Sequence, residues 1–173
     1  MIRKASAADI PFLVRLINSA YRGEVSKKGW TTEADLISGA IRTDESQLRS
    51  LIEKPGSVIL VCLNENDETE GCVYLEKQSG KLYLGMLSVP PDRQARGTGK
   101  KLMEAAEQYA RAENCKSIFM RVISLRTELI TWYEKQGFVK TGEKQPFENS
   151  QYGTALLSFE FLILEKPIEK SLD

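Results

Sequence analysis

Histidine is absent from this chain of 173 residues. Its absence excludes zinc sites of the usual kind, a Ser-His-Asp triad and every acid–base scheme that uses an imidazole. Any proton transfer in this protein must therefore use carboxylates, tyrosine, cysteine, lysine or water.

Cysteine is scarce, and long apolar runs are missing. Cys62, Cys72 and Cys115 lie far apart without the spacing of metal ligands, and we expect three buried free thiols. No run approaches the roughly 20 apolar residues that span a bilayer, and the first residues lack the pattern of a signal peptide. We therefore expect a reduced, cytoplasmic protein without a membrane partner.

An excess of charge of either sign is also missing. The chain has 24 basic and 24 acidic side chains, which gives a formal net charge of zero. A general nucleic-acid binder usually carries a basic excess, so we expect no nucleic-acid partner. A local basic patch nevertheless runs from Arg93 to Lys101.

The hydrophobic pattern predicts one α/β (α+β) domain over residues 1–173, since this length allows a single sizeable core. Strands are predicted at residues 2–4, 58–63, 72–76, 82–89, 117–122, 138–141 and 155–164. Helices are predicted after Ser6, at 31–41, at 45–53, from the glycine segment (residues 94–102) to about 114, and at 126–136. The expected architecture is a mixed central sheet of about seven strands flanked by helices.

The stretch QARGTGKKL, residues 94–102, breaks two local rules. Glycine costs roughly 1 kcal/mol relative to alanine inside a helix, and lysine in the first turn opposes the helix dipole. Free N–H groups at a helix N-terminus, approached closely because of glycine, predict an anion site suited to phosphate. A solvated basic helix start remains the alternative. The spacing fits neither a P-loop nor a dinucleotide fingerprint.

Two motifs resemble those of the GNAT superfamily of acetyl-CoA-dependent N-acetyltransferases. Residues 94–99, QARGTG, match the signature Q/R-x-x-G-x-G/A, and residues 132–138, WYEKQGF, are similar to the family's Tyr-Glu-Lys-x-Gly-Phe element. The strand that ends LSVP, residues 87–90, resembles the family strand that holds the pantetheine arm. The resemblance implies a GNAT-like fold and transfer of an acetyl group from acetyl-CoA to a primary amine by direct attack on the thioester.

The resemblance also implies which residues bind the cofactor. They are Leu87, Ser88, Val89, Gln94, Ala95, Arg96, Gly97, Thr98, Gly99, Lys100 and Arg126. The backbone around residues 87–89 would polarise the acyl carbonyl, and Gly85 would mark the bulge that frees it. The family often carries asparagine where this chain has Arg126. Three alternatives are open for this arginine: it meets a phosphate, it meets a substrate carboxylate, or it faces solvent.

Tyr133 has two interpretations. It shares a helical face with Leu129 and Ile130, which is typical of a core aromatic. The resemblance instead implies that Tyr133 is the catalytic general acid, which protonates the departing thiolate because a tyrosine with a pKa near 10 is protonated at neutral pH.

The base and the acceptor site are less clearly marked. Glu24, Glu76 and Glu160 are candidate bases, although Glu160 also fits an outward position on an edge strand, and water can replace a dedicated base. We expect Tyr21, Glu24 and Trp30, with Glu33, to line the acceptor site, and Phe147 and Tyr152 to form its opposite wall. Trp30 as a core anchor is the alternative.

These features imply a small-molecule or peptide amine as the partner, and they leave a homodimer open. A function of a different class also remains, in which the chain is a non-catalytic acyl-CoA-binding or regulatory module. Such a module would keep the glycine segment and lose the chemistry of Tyr133.

Overall fold

A mixed sheet of seven strands forms the centre of the computed structural model, which describes residues 1–170. The strands are β1 (Ile2–Lys4), β2 (Ser57–Leu63), β3 (Thr69–Gln78), β4 (Lys81–Ser88), β5 (Ser117–Ile123), β6 (Val139–Pro146) and β7 (Glu160–Pro167). Their order is β1-β2-β3-β4-β5-β7-β6, and all neighbours are antiparallel except β4 and β5. The predicted fold class and number of strands are confirmed.

Helices cover both faces of this sheet. They are α1 (Ile10–Tyr21), α2 (Gly23–Ser26), α3 (Glu45–Glu53), α4 (Thr98–Ala112) and α5 (Thr127–Lys135). Successive side chains of β2 point to opposite faces, so that Leu60 packs in one core cluster with Leu102 of α4, and Val61 packs in the other with Leu13 of α1. The continuous apolar run in β2 is therefore a strand buried on both faces, as predicted.

The helix predicted over residues 31–41 is wrong. This segment is irregular, and its backbone pairs with the chain before β7: Leu156 N–H donates to Leu36 O at 2.8 Å, and Ser38 N–H donates to Thr154 O at 2.9 Å. Ile37 is buried by this pairing, whereas Ile41 is exposed. Three apolar residues at helical spacing were too weak a signal to compete with these long-range hydrogen bonds.

The last two strands also differ from the prediction. β6 extends to Pro146 and is exposed along its whole length, because it forms the edge of the sheet. Its pairing register with β7 shifts between Lys140 and Lys144, and Gly142 there has a φ of 87°. An exposed edge strand with an irregularity carries no apolar alternation, which is why the sequence suggested a loop from residue 143.

One feature of the sheet positions the site. The parallel strands β4 and β5 pair over only two residues, Leu82 with Ile118 and Tyr83 with Phe119. Beyond Tyr83 the two strands diverge, so the sheet splits toward their carboxyl ends. Polar backbone groups on that side of β4 therefore face a cleft instead of a neighbouring strand.

Three further expectations concern single residue types and segments. Cys62, Cys72 and Cys115 are buried and free, as predicted. No helix within residues 1–170 is long and apolar enough to cross a membrane. In the same residues, no cluster of three or more metal-binding side chains is present.

Candidate active site

The glycine segment places an open helix N-terminus at the cleft. Gly97 caps α4 in a left-handed conformation, with a φ of 89°, and Ala95 before it also has a positive φ of 64°. The first helical hydrogen bond runs from Lys101 N–H to Gly97 O at 3.0 Å. The N–H groups of Thr98, Gly99 and Lys100 therefore have no acceptor within the helix, and they are available to an anion.

The two glycines differ in what a side chain would meet. A Cβ on Gly97 would meet no heavy atom within 4 Å, so this glycine is needed for its left-handed backbone. A Cβ on Gly99 would make an ordinary contact with the Trp132 ring at 3.6 Å, so the space here admits a small side chain and position 99 borders the groove between α4 and Trp132.

A cavity of about 250 Å³ lies over this helix N-terminus, and we refer to it as the first cavity. Trp30 and Trp132 form its aromatic wall, with ring centroids 5.9 Å apart. The other lining residues are Tyr21, Thr31, Leu87, Val89, Arg93, Gln94, Ala95, Gly97, Thr98, Gly99, Lys100, Leu129, Tyr133 and Gln136. Only two of these side chains carry charge. Lys100 belongs to the glycine segment, and Arg93 directly precedes it.

Gln94 links the glycine segment to the loop after α2. Its side-chain amide donates to Thr31 Oγ1 at 2.8 Å and to Val89 O at 3.0 Å, and its Oε1 accepts from Trp30 N–H at 2.9 Å. A Cβ on Gly29 would lie 2.5 Å from that Oε1, so the loop packs tightly on Gln94. The sequence did not reveal this structural role because Trp30 and Thr31 lie more than 60 residues away from Gln94.

The end of β4 carries a bulge at the cleft. The register between β3 and β4 shifts between Cys72 and Tyr74, and Met86 has a positive φ of 48°. The bulge therefore falls one residue after Gly85, close to its predicted place. The hydroxyl of Tyr21 donates a hydrogen bond to Leu87 O, which fixes this irregular backbone against α1.

Tyr133 is a buried residue that lines the cleft. Its ring packs edge-to-face on Trp132 and Phe138, with centroids 5.1 and 5.9 Å apart, and belongs to the core cluster. Its hydroxyl forms no hydrogen bond with the described residues, yet it is not sealed from the cavities. Burial raises the pKa of Tyr133 well above its ordinary value. The side chain is thus both a core aromatic and a protonated hydroxyl facing open space.

A second cavity of about 250 Å³ lies on the other side of Tyr133. It shares Tyr21, Leu87, Leu129 and Tyr133 with the first cavity. Its charged lining residues are Arg22, Arg42, Arg121, Arg126, Glu33 and Glu148. The loop before β7 contributes Phe147 and Tyr152 to the lining, as predicted for the opposite wall.

Glu33 is enclosed by two arginines in the second cavity. Arg22 Nε lies 3.3 Å from Glu33 Oε1, and Arg126 Nη1 lies 3.7 Å from Glu33 Oε2. Arg126 also donates to Thr31 O at 2.5 Å and lies over the Tyr21 ring, 5.9 Å from its centroid. The side chains of all three residues are at least nine-tenths buried.

Comparison with known proteins identifies the family of this chain. Residues 15–138 match the family model described as Acetyltransferase (GNAT) family. The chain belongs to the GNAT acetyltransferase family. Two curated relatives are human N-acetyltransferase 8B, 27% identical over 69% of this chain, and an acetyltransferase of Agrobacterium fabrum, 27% identical over 51% of this chain. The aligned parts span 54% and 63% of those relatives' own lengths.

Solved structures of the family share the fold. The ribosomal-protein-S18-alanine N-acetyltransferase of Escherichia coli superposes with a TM-score of 0.72 and 15% sequence identity, covering 99% of this chain and 95% of that one. At this identity the likeness shows the fold alone and not the acceptor.

The residues that the GNAT resemblance assigned to the cofactor fall into two groups. Leu87, Val89, Gln94, Ala95, Gly97, Thr98, Gly99 and Lys100 line the first cavity. Three do not line it. Ser88 is buried and donates to Met86 O at 3.0 Å, Arg96 is exposed, and Arg126 lines the second cavity, where it neither faces solvent nor approaches the glycine segment.

The predicted acceptor residues need two corrections. Trp30 lines the first cavity against Trp132 and not the second. The side chain of Glu24 is 88% exposed and pairs with Lys27, so it lies outside both cavities. Tyr21 and Glu33 do line the second cavity. Residues 23–26 form the extra turn α2, which turns Glu24 outward.

None of the three candidate bases lies at the site in the described structure. Glu76 is held by the Tyr74 hydroxyl at 2.7 Å and by Lys54 at 2.5 Å. Glu160 is half-exposed and pairs with Lys144 at 3.1 Å. It faces outward as one interpretation held, but β7 is an inner strand and not an edge, because β6 covers it.

Proposed function

We propose that this chain is a single N-acetyltransferase domain that moves an acetyl group from acetyl-CoA to a primary amine of a small molecule or peptide by direct attack. The observation that carries the proposal is the meeting of two cavities at Tyr133 and Leu87, inside the split between β4 and β5. One cavity suits the cofactor, the other suits an acceptor, and the shared wall holds a protonated hydroxyl.

The first cavity has the groups that acetyl-CoA requires. The free N–H groups of Thr98, Gly99 and Lys100, with Arg93 beside them, would hold the diphosphate. The irregular backbone at Leu87, unpaired toward β5, would hold the pantetheine arm and orient the acyl carbonyl. When bound, acetyl-CoA supplies the activated acetyl thioester.

Tyr133 is proposed as the general acid. Its hydroxyl forms no hydrogen bond with the other described residues. Its raised pKa keeps the hydroxyl protonated across the whole physiological pH range. A group that must donate a proton to a thiolate is useful only in its protonated form. The core packing of the ring against Trp132 and Phe138 fixes the direction of the hydroxyl.

The amine is proposed to lose its proton to solvent before it attacks. Both carboxylate oxygens of Glu33 are engaged by arginines, Oε1 by Arg22 and Oε2 by Arg126, so they are not presented to an acceptor amine. Glu148, the other carboxylate of the second cavity, is exposed on the loop before β7. A dedicated base is therefore not part of the proposal.

A thiol-release assay with acetyl-CoA and a panel of amines tests the function. We expect release that depends on both the protein and an amine, together with acetyl-CoA-dependent stabilisation; a ligand at about 100 times its Kd adds roughly 2.7 kcal/mol to the free energy of unfolding. Stabilisation without acceptor-dependent release would favour the acyl-CoA-binding module. No thermal shift with acetyl-CoA or CoA at millimolar concentration would remove the cofactor assignment.

A further inference from the structure

The second cavity has an imbalance of charge that the whole chain lacks. Its lining contains four arginines and two glutamates, whereas the chain has equal numbers of basic and acidic side chains. A concave site with one dominant sign of charge focuses the field and concentrates ligands of the opposite sign. An acceptor that carried only positive charge, such as a polyamine, would meet repulsion here.

Two of the four arginines form ion pairs and hydrogen bonds with other residues of the protein. Arg22 pairs with Glu33 and donates to the carbonyls of Tyr152 and Ile41. Arg126 pairs with Glu33 and donates to Thr31 O. These contacts neutralise Glu33 and hold the loop after α2, so neither arginine is the group that binds the acceptor.

Arg42 and Arg121 are different. Within residues 1–170, neither guanidinium forms a hydrogen bond to a side chain or carbonyl, or an ion pair, although both line the cavity. Arg121 lies over the Tyr83 ring, 5.1 Å from its centroid, which orients the guanidinium without using its N–H donors. Arg42 is half-buried, and Arg121 is an exposed residue at the rim of the cavity. Two planar forks of free donors in a concave site match a carboxylate, which they bind through paired hydrogen bonds.

We propose that the acceptor is a small molecule that carries a carboxylate beside its amine, as an amino acid does, and that Arg42 and Arg121 bind this carboxylate. The amine then faces Leu87 and Tyr133 at the junction of the two cavities. The cavity volume of about 250 Å³ lies just under the range of roughly 300–1,000 Å³ that is usual for ligand pockets, which suits an acceptor of this size. The inference rests on the proposed acetyl transfer and names its substrate class.

The test compares acceptors that differ only in the anionic group. Amino acids are assayed beside their amides for acetyl-CoA-dependent thiol release, and β-alanine is assayed beside taurine and phosphoethanolamine. We expect kcat/KM for carboxylates to exceed that for the matched amides about 10- to 100-fold, the usual effect of a charge-assisted pair of hydrogen bonds. Preference for the sulfonate or the phosphate over the carboxylate would overturn the assignment to a carboxylate.

Variants then connect the preference to the two arginines. Arg42→Gln and Arg121→Gln should each raise KM for the acids about tenfold or more, with kcat and the rates for amides little changed. Arg121→Lys should restore part of the loss, since it keeps the charge without the planar fork. Arg49→Gln, on the exposed face of α3 and outside both cavities, is the matched control.

Calorimetric binding of the same acids, in the presence of CoA, separates this inference from the proposed function. Acids that bind wild type and not the arginine variants, without turnover, would support the arginine site and contradict acetyl transfer. Turnover of amides or polyamines as fast as of acids would support acetyl transfer and overturn the carboxylate. An absence of both binding and turnover for every acid would also overturn it.

Discussion

The first and second cavities are of equal volume and share Tyr133, but they are built differently. The first draws seven of its sixteen lining residues from one segment, residues 93–100, and presents backbone N–H groups, two tryptophans and two charged side chains. The second is lined by six charged side chains from segments scattered between residues 22 and 148. Backbone donors suit a group that every member of a family binds, whereas side chains suit a group that differs between members.

This contrast explains where the molecule tolerates change. The first cavity depends on the left-handed backbone at Gly97 and on the absence of negative charge at position 99, where a Cβ would make only an ordinary contact with Trp132. In the second cavity the guanidinium groups of Arg42 and Arg121 form no described hydrogen bond or ion pair, so exchanging either side chain costs at most the contact of Arg121 with the Tyr83 ring. Five predictions test this difference, beginning with the shared wall.

The largest effect is expected at Tyr133, which belongs to both cavities. Tyr133→Phe should lower kcat about 10²- to 10⁴-fold, the usual contribution of general acid catalysis. The melting temperature and the Kd for CoA should stay nearly constant, because the hydroxyl has no described hydrogen bond to lose. Steady-state kinetics, calorimetry and thermal unfolding measure the three quantities.

Tyr109→Phe, on α4 and outside both cavities, is the control for the Tyr133 variant. It should leave kcat unchanged. Wild-type turnover in Tyr133→Phe on the true acceptor would show that the residue serves only the core.

The second largest effect is expected from charge in the first cavity alone. Gly99→Glu places a carboxylate beside the diphosphate and should weaken CoA binding about 100-fold, or ~3 kcal/mol, which is within the repulsion of two charges some 4 Å apart near a protein surface. Gly99→Gln has the same volume without the charge and should lose much less. Calorimetry with CoA decides; equal losses in the two variants would mean that space, not charge, is what Gly99 provides.

Gly97 should respond in a different way from Gly99. Because its φ is 89°, any substitution strains the start of α4, and Gly97→Ala should reduce the free energy of unfolding by about 1–2 kcal/mol. Gly99 lies inside α4 without a positive φ, so a substitution there should not carry this cost.

A smaller effect is expected at Gln94, which links the glycine segment to the loop after α2. Gln94→Ala removes three hydrogen bonds and should lower the free energy of unfolding by about 1–3 kcal/mol, which is a fall of several degrees in Tm. KM for both substrates should rise, since this residue joins the walls of the first cavity. Gln108→Ala, exposed on α4, is the control. A Gln94 variant as stable as this control would contradict the role of the link.

The smallest effect is expected at high pH. A raised pKa keeps Tyr133 protonated as the pH increases, so its donor form is lost only above the ordinary tyrosine pKa of about 10. Burial likewise raises the pKa of Tyr21 to about 12. The value of kcat should therefore rise with pH as the amine loses its proton. Any decline after that rise should stay below about twofold up to pH ~10. A steep decline between pH 7 and 9, measured as kcat, would contradict a buried tyrosine acid.

The two cavities also differ in how far the sequence revealed them. In the first, the glycine segment was predicted, because its residues are consecutive and serve a local purpose: a glycine cap and an open helix N-terminus. Its aromatic wall of Trp30 and Trp132 was not predicted, because it forms between distant parts of the chain. The second was predicted only in part. Glu33, Phe147 and Tyr152 were expected there, but the pairing of Glu33 with Arg22 and Arg126 depends on segments that the fold alone brings together.

The errors have the same physical origin. The helix predicted over residues 31–41 gave way to long-range pairing between Leu36 and Leu156, and Glu24 faces outward because α2 adds a turn. Trp30 was assigned to the wrong cavity because Gln94 holds its backbone against the glycine segment. In each case a tertiary contact outweighed a local pattern, whereas the strands of the core, buried on both faces, were correctly predicted from their apolar runs.

The most direct test of the account is whether both cavities are filled at once. Initial rates are measured while acetyl-CoA and the acceptor are varied together, and the protein is analysed by mass spectrometry after incubation with acetyl-CoA alone. Because the cavities meet at Tyr133, we predict intersecting reciprocal plots and no acetylated protein. Parallel plots, with a protein that gains one acetyl group in the absence of acceptor, would contradict direct attack across the junction.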